Sequence, residues 1–515
     1  MRQSAKRSLQ FAVACAIAVP TATWATNGYF AHGWGTKSKA MAGVATALPQ
    51  DTLVTATNPA GMAFIGTALD IGVSFFNPSD RGYEANNNYS TAPYPATDGR
   101  GNNFMIDLPT GGYVTPGTYD SENDWFAIPS IGFNYEINDQ STIGVAIYGN
   151  GGMNTKYDRA VWENFAVAPN QRVAILSDGS QAPLFNSTPF GQLIVTDGEL
   201  TPITDENLTE VQFPDGVYPV VNGNPDGFYT AGRTTGVNLE QLFVEVPYTF
   251  KFGNGRQSVG IAPVFAFQRF EARGLQPFRA ASVNPNKVSN NGTDTSYGAG
   301  LHFGWYGEVT DQVALGISYR TKVWMTDFDE YSGLFADGGN FDIPAMFNLG
   351  IAYKPIPSLT VGFDYQHIFY DEVDAISNSN DLDLTPCFDA GSKPSYCLGA
   401  KSGLGFGWQS QDIFKLGVRW DQSDKFAFFG GVSYNTELLK SNQQALFNVL
   451  TPATVRWHLT LGMTYKHSSS DEFNLAFAYM PKETVDGTSP AITQTQTGSL
   501  YMEQKDIELS WSHRF

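Results

Sequence analysis

Ile507-Glu508-Leu509-Ser510-Trp511-Ser512-His513-Arg514-Phe515, the last nine residues, largely alternate apolar and polar side chains and stop on an aromatic. Successive side chains of a strand point to opposite faces, so Ile507, Leu509, Trp511 and Phe515 share one face with His513. Glu508, Ser510, Ser512 and Arg514 share the other. A strand at a sheet edge leaves a row of backbone donors and acceptors unpaired unless another strand takes them up. The economical arrangement is a closed barrel, apolar outside and polar inside, with the last strand bonded to the first.

Strict alternation, followed back through the chain, predicts fourteen strands. They are expected at 67–77, 125–136, 141–149, 238–252, 257–270, 296–307, 312–324, 342–354, 358–370, 411–421, 425–435, 453–466, 472–481 and 503–515. Most reach or exceed the roughly 9 to 11 residues that a tilted strand needs to cross a bilayer. The connections alternate as well. Turns at 138–140, 253–255, 310–311, 355–357, 423–424 and 468–470 are tight, and those between them are long, notably 78–124, 150–236 and 371–409. Short turns at one end and long loops at the other make an all-β, antiparallel transmembrane barrel spanning 67–515. An even strand count puts both chain ends on the short-turn, periplasmic side. The 150–236 insertion is polar but holds Trp162, Phe165, Phe185, Phe190 and Phe213, which predicts a folded cap with an apolar face.

The N-terminal residues point to export. Residues 1–25 begin with Arg2, Lys6 and Arg7, continue through an apolar run from Leu9 to Val19, and end on Thr23-Trp24-Ala25, as a cleavable signal does. Removing those three basic residues takes the net charge from −19 to −22. So acidic a chain excludes a nucleic-acid partner, which needs basic patches. After the signal no run of 18 uninterrupted apolar residues occurs, so bilayer insertion must be through strands. With Cys15 in the signal, Cys387 and Cys397 are left as a pair in a polar segment, where an oxidising compartment lets them form a disulfide. No His lies beside them, so no metal site is expected.

Residues 26–66 neither alternate nor span, and are rich in Gly and Ala. Such a segment, ahead of a fourteen-stranded wall, is suited to fill the lumen as a hatch, because a barrel of that size would otherwise be open. Here Thr26-Asn27-Gly28-Tyr29-Phe30, the run around Met41-Ala42-Gly43, Asp51 and Asn58-Pro59-Ala60-Gly61-Met62 resemble the N-terminal hatch of the FadL/TodX family. These are outer-membrane transporters of long-chain fatty acids and aromatic hydrocarbons in Gram-negative bacteria. The long loop after strand 3 and the loop carrying Cys387 and Cys397 depart from that pattern.

The resemblance implies passive uptake of a hydrophobic molecule, from a loop groove to a pocket above the hatch, with lateral release near strand 3. Asn58, Pro59 and Ala60 are the implied hatch and gating residues. The barrel-assembly machinery and outer-membrane lipid are the implied partners, lumen transport needs no second subunit, and no cofactor is implied. Gly149, Gly151 and Gly152 stand where a kink would interrupt ladder pairing. A buried carboxylate head needs a cation, and alternation sends Arg320, Lys322 and Trp324 inward on strand 7, with the two bases in its outer half. Phe30, Trp34, Met41 and Met62 are candidates for the pocket lining or for packing within the hatch. His458 with Ser510 or Ser512 offers a Ser-His pair inside the lumen, but such a pair would lack access to lipid, and no enzyme is expected. The competing readings are a pore for small polar solutes, which has no use for forty structured residues before strand 1, and a surface-binding barrel that uses its loops.

Overall fold

The computed structural model describes residues 26–515 except 89–90, 98–102, 110–113, 123–124, 160, 163–172, 177–180, 189–190, 197–198, 203–207, 214–215, 220–233, 383–384, 389–392, 440–441 and 489–495. The expected signal, 1–25, lies outside the described residues.

Fourteen strands form the wall: β1 (Ala68–Asn77), β2 (Phe126–Asn138), β3 (Ser141–Tyr157) and β4 (Thr235–Glu245, resumed as Tyr248–Phe252). They continue as β5 (Gln257–Arg273), β6 (Asp294–Glu308), β7 (Val313–Arg320, resumed as Trp324–Met325), β8 (Met346–Ile356) and β9 (Leu359–Ile368). The last five are β10 (Gln411–Asp421), β11 (Phe426–Asn435), β12 (Trp457–Lys466), β13 (Asp471–Thr488) and β14 (Thr497–Arg514). Each pairs antiparallel with its neighbours in sequence, and β14 returns to β1 with Ala68 opposite Arg514 and Asn77 opposite Lys505. The sheet has closed on itself. The insertion between β3 and β4 forms a separate six-stranded sheet from Val173–Leu176 to Gly216–Pro219. Phe165 and Phe190 lie outside the described residues.

Alternation sets the two faces of the wall. Ile71, Phe75, Ile261, Phe363, Leu416, Leu461 and Leu509 are exposed outside, as a bilayer-embedded wall requires, while Asp70, Ser74, Asp364, Lys415 and Glu508 are buried inside. Among the described residues, three departures from the expected pattern bear on the site. β4 breaks at Val246-Pro247, because Pro has no N–H for the ladder. β3 runs on to Tyr157, so Gly149, Gly151 and Gly152 lie within the strand rather than at its end.

The third departure corrects one residue of the sequence reading. His302 faces Arg320 and Ala299 faces Trp324, so three steps along β6 match four along β7. The extra residue is a bulge, and one residue of slip exchanges inside for outside. Trp324 therefore points outward, 58% exposed, and lines no lumen pocket, while Val323 and Met325 are buried.

Candidate functional site

Residues 26–66 are almost wholly buried, and polar bonds tie them to the inner face of the wall. A single-turn helix, α1 (Thr36–Lys39), puts Lys37 2.6 Å from Glu472 and Lys39 2.7 Å from Glu508 and 2.8 Å from Asp506. Asp364 of β9 accepts from the backbone N–H groups of Ala45 and Thr46, both at 2.8 Å. Asp70 accepts from Thr52 N–H at 2.8 Å. Buried polar groups need such partners, and here the segment and the wall supply them to each other.

Asn58 caps the short 3-10 turn Pro59–Phe64 and also donates to the Thr46 carbonyl at 2.8 Å and the Trp305 carbonyl at 3.0 Å. Asn58-Pro59-Ala60 thus lies against β5 and β6, where the wall residues are glycines. A Cβ on Gly304 would stand 2.1 Å from Asn58 Oδ1, and one on Gly260 2.6 Å from Ala60 N. Gly316, Gly350, Gly417, Gly431 and Gly462 face the segment in the same way from β7, β8 and β10 to β12. This inner belt of glycines was missed in the sequence, although glycines recurring in the inward phase of strand after strand were there to be read.

The wall is interrupted on one side. β2 and β3 pair only from Asn138 opposite Ser141 to Ser130 opposite Tyr148. Beyond Tyr148, β3 stays bonded to β4 but not to β2, and Asn150 is bulged out between Gly149 and Gly151. The N-terminal segment takes up the free edge: Ala31 N–H donates to Asn150 O at 3.1 Å, Gly152 N–H to Tyr29 O at 2.8 Å, and Trp34 Nε1 to Gly149 O at 3.2 Å. A Cβ on Gly151 would lie 1.9 Å from Tyr29 O, so this approach requires glycine.

Arg320 stands beside this junction, fully buried. Its guanidinium carbon lies 4.7 Å from the Phe243 ring, 5.4 Å from Phe30 and 5.7 Å from Trp34. Rings attract a desolvated cation, but they satisfy none of its N–H donors. Among the described residues no hydrogen bond of ordinary geometry satisfies Nε, Nη1 or Nη2, although the Tyr148 hydroxyl lies near enough to act on the guanidinium. Lys322 does not join it. Its Nζ is 3.0 Å from Asp342 Oδ2 and partly exposed.

At the long-loop end, Trp162, Phe278, Phe335, Leu398, Phe406 and Phe447, drawn from five different loops, line a small apolar pocket. Phe270 and Phe335, both lining it, have ring centroids 4.7 Å apart. From there rings follow one another inward: Phe335 to Phe341 at 4.8 Å, Phe341 to Tyr29 at 6.2 Å, and Tyr29 to Phe30 at 5.1 Å. Phe30 bridges Gly151 at the free edge of β3. Met41 and Met62 sit elsewhere, packed between the segment and the wall in two separate clusters. Cys387 and Cys397 form a buried disulfide in the β9–β10 loop. His458 stacks on His32 at 5.7 Å, while Ser512 bonds Asp70 and Ser510 bonds Thr36, so neither serine is bonded to His458.

A family model described as outer membrane protein transport protein (OMPP1/FadL/TodX) matches residues 12–170 and 249–507. Among curated proteins none matches the sequence. Among solved structures, the Pseudomonas putida toluene transporter TodX is similar at 14% identity and a TM-score of 0.55, with 94% of this chain and 99% of that one covered. A Pseudomonas aeruginosa FadL homologue is similar at 13% identity and 0.56, covering 95% and 100%. The Ralstonia pickettii toluene transporter TbuX is similar at 15% and 0.50, covering 94% and 99%. At such identities the likeness is one of fold.

Proposed function

The chain belongs to the OMPP1/FadL/TodX family of outer-membrane transport channels, and from that premise we propose that it takes up long-chain fatty acids or similar amphiphiles. Family membership makes it a transport protein and not an enzyme. Residues 26–66 act as the hatch of the lumen, and both chain ends are periplasmic. An apolar molecule gains about 25 cal/mol for each Å² removed from water, so the loop pocket is a favourable first station. The ring series from Phe335 through Phe341 and Tyr29 to Phe30 supports a dry path inward. Passage then needs residues 29–34 to leave the edge of β3, which opens the wall between β2 and β3 and lets the ligand move sideways into the bilayer.

The observation that carries the choice of an acidic amphiphile is Arg320. A buried guanidinium without hydrogen bonds of ordinary geometry is costly, and an entering carboxylate relieves that cost by forming charge-assisted bonds in place of Phe30 and Trp34. Lys322, held by Asp342, is not part of this site. The test is binding to the purified barrel of oleate and of a neutral alkane. Arg320→Ala should weaken oleate at least about tenfold, the loss of one charge-assisted contact, and spare the alkane, while Lys322→Ala changes neither. Equal losses for both ligands, or none, would contradict the assignment and favour a neutral hydrocarbon as cargo.

A further inference from the structure

We infer that an acidic ligand enters the Arg320 site together with one proton, which is taken up on Nε2 of His302. The inference rests on the head-group reading of Arg320 above. His302 and Arg320 are direct cross-strand partners on β6 and β7, both fully buried and inward. Opposite residues have Cβ atoms about 4.5–5.5 Å apart, so a head held by the guanidinium is within reach of the imidazole. Nδ1 of His302 is 3.1 Å from Glu245 Oε2, and the Tyr148 hydroxyl donates to the other oxygen of that carboxylate. Nε2 is buried and has no partner among the described residues.

Charge decides what happens there. Arg320 and Glu245 balance each other while His302 is neutral. The other ionisable groups around them change nothing, since Tyr148, Tyr29 and Tyr370 are phenols and Lys322 is already paired with Asp342. A carboxylate arriving at Arg320 would leave one net negative charge buried, which is expensive. His302 can remove it. With Nδ1–H directed at Glu245, the free lone pair is on Nε2, and a proton from water placed there creates an N–H donor aimed at the ligand. Glu245 is a positioning residue that fixes which nitrogen is free.

The probes are dodecanesulfonate, whose head stays ionised so that any proton taken up belongs to the protein, laurate as a carboxylate, and methyl laurate as a neutral control. Calorimetry on the full-length barrel in detergent, in two buffers of different ionisation enthalpy, counts the protons. Uptake of about one proton per bound anion and none with methyl laurate is expected, with Kd rising about tenfold per pH unit on the alkaline side. His302→Gln and His302→Asn should abolish uptake and flatten the pH profile. Glu245→Gln should bind the anion without uptake, because Arg320 is then the only charge. Binding that depends on Arg320 but takes up no proton, or uptake that persists in both His302 variants, overturns the inference and leaves the head-group reading standing. Anion binding unchanged in Arg320→Ala, or no anion binding at all, overturns both.

Discussion

Asp51 is a residue whose energetics can be read directly from its surroundings. Burial, and secondarily the nearby Asp70 carboxylate, pushes its carboxyl up to about 7, although its Oδ1 accepts from Leu53 N–H. An acid whose group is raised in the docked state favours that state when protonated. Its contribution is complete below the ordinary carboxylate range and is lost as pH rises through about 7. Hydrogen exchange at Leu53 to Thr57 should therefore show weaker protection at about pH 8 than at about pH 5 after correction for intrinsic rates. Asp51→Asn retains the cap and should make protection independent of pH; a wild-type profile that is flat would refute this. At this scale alternation is the signal that the sequence carries. It sent Arg320 inward, but the β7 bulge, which no periodicity announces, turned Trp324 outward, and the Lys322–Asp342 pair depends on a loop fold with no repeat to read.

The N-terminal segment divides into two parts that differ in how they are held. From Thr36 onward, Lys37, Lys39, Asp364 and Asp70 fasten it by buried charged contacts, which are strongly destabilising to break singly. Residues 29–34 are held at the β3 edge by three neutral hydrogen bonds, each contributing roughly 0.5–1.5 kcal/mol, and elsewhere by Tyr29 N–H donating to the Tyr370 hydroxyl at 3.2 Å, by one bond from Lys415 Nζ to the His32 carbonyl at 3.1 Å and by ring contacts. Movement is expected in the second part alone. Thr36 Oγ1 and Ser510 Oγ are 2.7 Å apart, close enough for a T36C/S510C disulfide to pin α1 to β14. Oleate uptake by cells carrying the oxidised variant should match wild type; a block relieved by reductant would mean that the whole hatch is displaced. That residues 26–66 are no part of the wall could be read in the sequence because they fail to alternate, and their Ala and Gly content suited close packing. Their docking partners could not, since Glu472, Asp506 and Glu508 lie more than four hundred residues away and nothing local ties them to Lys37 and Lys39.

At the scale of the molecule, the barrel is simple physics: a period of two writes an apolar outside and a polar inside, and closure leaves no strand of the wall unpaired, β2 and β3 parting only beyond Tyr148. That regularity is why the wall was legible strand by strand, with errors at Val246-Pro247 and at the long outer ends of β3, β13 and β14. The loop pocket was not legible, because its lining comes from five loops whose approach is set by tertiary packing around Trp162, Phe278 and Phe447. What the whole arrangement provides is a line of rings from that pocket to a break in the wall, with Arg320, whose guanidinium is buried among rings, beside the break. The most direct measurement is photo-crosslinking in whole cells with a long-chain fatty acid carrying a diazirine at its methyl end, mapped by peptide mass spectrometry. Labels on Phe335 or Phe341, on Tyr29 or Phe30, and on Ile128 or Gly149 flanking the break are predicted. Labels absent from β2 and β3 but present along residues 41–64 would mean that the ligand goes straight through the hatch, and would contradict the account.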